Sequence, residues 1–263
     1  MDYTVVLGVD KNHLQNLKIV LPNWKQYRPE LFDQTFVIFF DRESTNGDEV
    51  VEVFRELAPK TLLRIVPWPP LAVAYPAGTC KWDNQQRHTM LAGFVHVPAT
   101  QVFTPYWLKL DLDVICTRGG DWIQDSWFDN IPAIVAPPWG YTKPIDQMDR
   151  LDAWATNSLG FRDHLPLNLP RGENTTMLRH PRICSWLAFF NTTFSRLCSE
   201  MATLGCGEGQ IPVPSQDGYL WYMATRLKWA VNRVDMKAAG WEVKANLDKV
   251  RKAIECLPEK SST

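Results

Sequence analysis

Two aspartates stand two residues apart in Tyr106-Trp107-Leu108-Lys109-Leu110-Asp111-Leu112-Asp113-Val114, at the end of an otherwise apolar run. A β-strand turns successive side chains to opposite faces. A strand continued through this stretch therefore points Asp111 and Asp113 one way and Leu110, Leu112 and Val114 the other. Two carboxylates this close raise each other's pKa unless positive charge intervenes, and a Mg²⁺ or Mn²⁺ ion bridging to a diphosphate supplies that charge. Lys109 shares their parity and can face the same crevice. The pattern is short, and a polar strand end reaching solvent accounts for it equally well.

Other residues can join such chemistry. Asp217 opens a stretch with Leu220, Met223 and Leu227 at helical spacing, where a carboxylate serves either as general base or as helix cap. Asp10 and Asp41 each close an apolar run, at residues 4–9 and 36–40. Arg87 falls in the early turns of a helix predicted over residues 81–97. His180 is a candidate third metal or diphosphate ligand from the second half. Trp122, Trp139 and Trp186 are candidate platforms for the apolar face of a sugar, although core packing explains tryptophans as readily.

The elements that must hold these groups alternate strand and helix, with doubly apolar runs suited to strands covered on both faces. That order predicts an α/β fold: an open, mostly parallel sheet flanked by helices, whose ligand crevice lies beyond the carboxyl ends of its strands. Asp10, Asp41, Asp111 and Asp113 all fall at such ends. With no internal repeat or linker, one domain is expected.

The 263 residues carry a formal net charge of −1, with 45% hydrophobic and 22% charged residues. A nucleic acid is an unexpected partner, because its binding leaves a basic patch. The six cysteines lack paired zinc spacing, and reduced, mostly buried thiols are expected. No apolar run approaches the roughly 20 residues of a membrane span, and the amino terminus lacks the layout of a secretion signal. A cytoplasmic protein is the expectation.

The stretch from His96-Val97-Pro98 through Asp113, a helix passing into a strand tipped by Asp-x-Asp, resembles the nucleotide-sugar glycosyltransferases of the GT-A fold. In topology the resemblance covers roughly residues 4 to 235. It implies a single domain over 1–263, with a nucleotide-sugar-binding half at 1–117 and an acceptor-binding half with C-terminal helices at 118–263. It implies Asp111 and Asp113 as carboxylates for Mn²⁺ or Mg²⁺, with Asp111 also reaching the donor diphosphate. Asp41 is then placed near the nucleobase or ribose, Val9 and Asp10 border the base, and Arg87 contacts the donor. Asp217 becomes the base of an inverting transfer from a nucleotide-diphosphate sugar, a UDP-sugar foremost, to a carbohydrate or other hydroxyl acceptor. Inverting relatives commonly carry a Glu-Asp pair there; Ser215-Gln216-Asp217 keeps the second acid alone. Two alternatives share the fold. A sugar nucleotidyltransferase wants a glycine- and base-rich phosphate loop where His13-Leu14-Gln15 stands, and a non-catalytic carbohydrate-binding module would bind no donor through a cation.

Overall fold

The computed structural model describes residues 1–68, 85–139, 143–162, 177–178, 182–183, 185–213, 215–244 and 246–257. Strands β1 (Tyr3–Val9) and β2 (Phe36–Asp41) are buried at every position, as apolar runs inside a covered sheet must be. They join β3 (Leu63–Trp68) and β4 (Tyr106–Leu110). After a short β5 (Val114–Cys116), the chain adds β6 (Ile134–Ala136), β7 (Leu187–Asn191) and β8 (Val231–Arg233). A last strand is β9 (Trp241–Val243). The main sheet has seven strands in the order β8-β6-β7-β4-β1-β2-β3. Its pairs are parallel except where β7 runs antiparallel to β4 and β6.

Alternation along the strands sorts the core into two layers. Val5, Leu7 and Val9 of β1 face α1 (Lys11–Tyr27) and α2 (Gly47–Leu57), with Phe36 and Ile38 of β2. Val6, Val37 and Phe39 face the opposite layer. That layer holds α3 (Gln85–Gln101), α4 (Ile145–Leu159), α5 (Thr192–Cys206) and α6 (Gln216–Arg226). The closing helix α7 (Leu247–Glu255) joins the first layer through Val250.

One departure from the sequence reading bears on the site. The strand expected to run through Asp113 stops at Leu110, and residues 111–114 form a turn in which the Val114 N–H donates to Asp111 O at 3.2 Å. Helix α1 captures the segment beyond that turn. The Asn23 amide pairs with both backbone groups of Cys116, at 2.9 and 2.7 Å, and Trp24 Nε1 donates to Val114 O at 2.8 Å. Thus β5 leaves the sheet and pairs with β9 instead. Ser185 and Trp186 form a turn before β7. Among the described residues four cysteines are free: Cys116 and Cys198 are buried, Cys206 is half-buried and Cys256 is exposed.

Helix α3 approaches the sheet through two glycines. A Cβ on Gly93 would stand 2.4 Å from the Phe39 ring, and one on Gly8 would stand 2.4 Å from Met90 Sδ and 2.8 Å from Phe39. This close seating fixes the height of α3 against β1 and β2. Gly93→Ala is expected to destabilise the fold by about 1–3 kcal/mol, the usual cost of overpacking. Urea denaturation checks it, and an unchanged midpoint would mean that α3 is not seated this tightly.

Candidate active site

The parallel register sets Val9 opposite Phe40, so the ends of β1 and β2 lie side by side. Asp10 succeeds β1 and caps α1, its Oδ1 accepting from the backbone N–H groups of Asn12 and His13 at 2.8 Å each. The His13 ring nitrogen Nδ1 lies 2.8 Å from the same oxygen. Burial pushes the Asp10 carboxyl up, but His13 and the two amides outweigh it and hold the group below the usual carboxylate range. Asp41 accepts from the Glu43 N–H at 3.1 Å and the Ser44 hydroxyl at 2.8 Å. Both acids therefore satisfy polar groups at an element end, beside the crevice.

Lys109, only 2% exposed, is the hinge of the site. Its ammonium contacts Asp111 Oδ1, donates to Ser185 O at 2.8 Å and lies 4.5 Å from the Phe94 ring centre. The Ser185 hydroxyl donates to Asp217, and Gln216 Nε2 donates to that hydroxyl at 3.1 Å. One polar chain thus runs from Asp111 through Lys109 and Ser185 to Asp217. The capping alternative for Asp217 fails: Ser215 is the cap of α6, accepting from the Gly218 N–H at 3.2 Å. Asp217 stands one residue inside the helix, with its carboxylate turned to Ser185.

The aspartate turn concentrates negative charge. The Asp111 side chain keeps 37% of its surface exposed; its partial burial raises the carboxyl above its ordinary range, with Asp217 adding to the rise and Lys109 and His13 opposing it. Burial and then Asp111 push Asp113 up to about 6, again against Lys109 and His13. Hence His13 lies within electrostatic reach of both acids. Its only signal in the sequence is the Asp10-x-x-His13 spacing, which sets both on the first turn of α1. Ser185 and Gln216 carry no such signal, because nothing local reveals that β7 starts beside the end of β4.

Asp111 and Asp113 place two carboxylates at one turn. Mg²⁺ characteristically takes one or two carboxylates and completes its coordination with phosphate and water. Among the described residues no group of three or more His, Cys, Asp or Glu is arranged to hold a metal. His180 lies outside the described residues, as do the side chains of Arg87 and Trp139. Trp122 is 4% exposed, stacked on Phe189 and edge-on to Trp241. It is a core residue and not a sugar platform. Trp186 is half-buried and lines a cavity of about 640 Å³.

No protein-family model matches this sequence, and neither does any curated protein. Solved structures do share the fold. The Mn/GDP form of core-mannan synthase A (CmsA/Ktr4) from Aspergillus fumigatus is 11% identical at a TM-score of 0.56, over 84% of this chain and 66% of that one. A complex of the galactosyltransferase LgtC with donor and acceptor sugar analogues is 13% identical at 0.53, over 89% and 74%. The GDP complex of the mannosyltransferase Ktr4p from S. cerevisiae is 12% identical at 0.53, over 88% and 69%. The chain has the GT-A fold of these glycosyltransferases. No described helix is long and apolar enough to cross a membrane.

His96 ties α3 to the segment that delivers Asp217. Its Nε2–H donates to Gln210 O at 2.8 Å, so Nδ1 accepts from the Ser199 hydroxyl at 2.9 Å. Burial holds its pKa below the ordinary histidine value, although Gln210 and Glu208 oppose the shift. The unfolded chain then binds the proton more readily, so this contribution is complete above about pH 6.5 and lost as pH falls below it. A urea midpoint that falls between pH 7.5 and 5.5, and falls less in His96→Gln, is expected. An equal fall in both proteins would contradict this assignment.

Proposed function

We propose that this protein transfers a sugar from a nucleoside-diphosphate sugar to an acceptor hydroxyl, with residues 1–117 binding the donor and 118–263 the acceptor. The reading is carried by one observation: Asp111 and Asp217, from opposite halves of the chain, meet through Lys109 and Ser185 at the carboxyl ends of the sheet. The GT-A fold and the Mn/GDP form of the similar mannan synthase support it.

Asp111 and Asp113 would hold Mn²⁺ or Mg²⁺, with His180 as a further ligand. When bound, such an ion neutralises charge on the departing diphosphate. Val9, Asp10 and His13 border the nucleotide, Asp41 its ribose, and Arg87 adds a donor contact. Lys109 orients Asp111 and brings a fixed positive charge to a site of low dielectric. Asp217, steered by Ser185, accepts the proton of the acceptor hydroxyl as its oxygen attacks the anomeric carbon. Attack from the face opposite the diphosphate inverts the centre. The hydrogen-bonded chain that joins Asp217 through Ser185 and Lys109 to Asp111 favours a second reading, in which the acceptor arrives on the diphosphate side and configuration is retained. NMR of the product's anomeric proton separates the two.

UDP- and GDP-sugars incubated with Mn²⁺ or Mg²⁺ are expected to release nucleoside diphosphate, and chelation to stop it. Pyrophosphate formed from a sugar phosphate and a nucleoside triphosphate would favour the nucleotidyltransferase instead. Asp217→Asn is expected to lower turnover ~10²–10⁴-fold, the usual worth of general-base help, with nucleotide affinity kept. Wild-type turnover in that variant would remove Asp217 from the mechanism.

A further inference from the structure

We propose that the acceptor is an extended chain of sugars, held in a groove that begins at the aspartate turn and runs along the edge strand β8. This deepens the transfer reading and rests on it.

The groove consists of two cavities in series. The first, about 640 Å³, is walled by Trp186 and Lys244. Trp186 O accepts from the Asp111 N–H, and the Lys244 N–H donates to Asp113 O, both at 2.8 Å. Each wall is therefore one hydrogen bond from the aspartate turn. The second cavity, about 830 Å³, is lined by Ser126, Asn130 and Asn232. Both are bounded by Arg233, Val234 and Asp235, so they meet over the carboxyl end of β8. Both are open to solvent, the outer one lined mostly by exposed or half-buried residues, so together they form a surface groove with room for more than one sugar ring.

The lining suits hydroxylated rings. An indole at the inner end offers a face for C–H bonds, and amide, hydroxyl, carboxylate and guanidinium groups further out match hydroxyl edges. A peptide adding to the sheet is the poorer occupant, because β8 is three residues long and gives strand addition few backbone partners. The outer rim is set in place. Asn232 Nδ2 donates to Trp127 O at 2.9 Å and Asp129 O at 3.1 Å. Asn130 and Ile131 both adopt left-handed φ, 63° and 48°. A β-branched residue adopts that region only against strain.

The test is binding to immobilised oligosaccharides of one to eight residues, for protein saturated with GDP or UDP and Mn²⁺. Retention is expected to rise at least tenfold between disaccharides and chains of four or more. Ser126→Trp fills the outer cavity from an exposed position and is expected to abolish that gain. Asn130→Gly removes the amide while relieving the left-handed φ, so a tenfold loss on long chains is not a folding defect. Retention independent of length, long-chain binding that survives Ser126→Trp, or no retained glycan overturns the groove. Failure of both nucleotides to bind in calorimetry sinks the donor reading instead, while the glycan result still judges the groove.

Discussion

The buried ammonium of Lys109 is the interaction on which the site depends. A charge taken from water is tolerable only when paired and hydrogen-bonded, and Lys109 meets that condition with Asp111, the Ser185 carbonyl and the Phe94 ring. Those partners come from the aspartate turn, from the segment before β7 and from α3. Because none can leave without stranding the charge, the two halves of the chain are locked together where chemistry is proposed. Burial still leaves the carboxyls of Asp111 and Asp113 raised, against the pull of Lys109.

The scaffold serves that arrangement from below. Asn23 and Trp24 turn the chain out of the sheet immediately after Asp113. The buried guanidinium of Arg28 donates to Gly120 O at 2.5 Å and to Ala239 O at 2.6 Å, clasping the loops on either side of the β5–β9 pair. Helix α1 thus does two things at once. Its first turn presents Asp10 and His13 to the crevice, and its last turns hold the strand next after the aspartates.

Much of this was legible in the sequence because it is local. The doubly apolar runs of β1 and β2, the acids at their ends and the parallel architecture come from period and composition. What was not legible is long-range. Alternation alone kept Asp111 and Asp113 on one strand, whereas the Asn23 and Trp24 hydrogen bonds, across some ninety residues, bend that strand into a turn. Asp217 reads equally well as a cap until Ser215 is found in that place. Ser185 gains meaning only because β7 pairs with β4 in antiparallel register, Leu187 against Leu110. Trp122 illustrates the converse: its position in the chain suggested a cleft, and its contacts place it in the core.

The central claim is that the turn at Asp111 and Asp113 anchors a cation against a nucleotide diphosphate. Titration calorimetry of UDP and GDP with and without Mn²⁺, on the wild type and on Asp113→Asn, tests it most directly. The account predicts binding at least tenfold tighter with Mn²⁺ in the wild type, and no such gain in the variant. Nucleotide affinity indifferent to Mn²⁺, or a gain that survives Asp113→Asn, would contradict it.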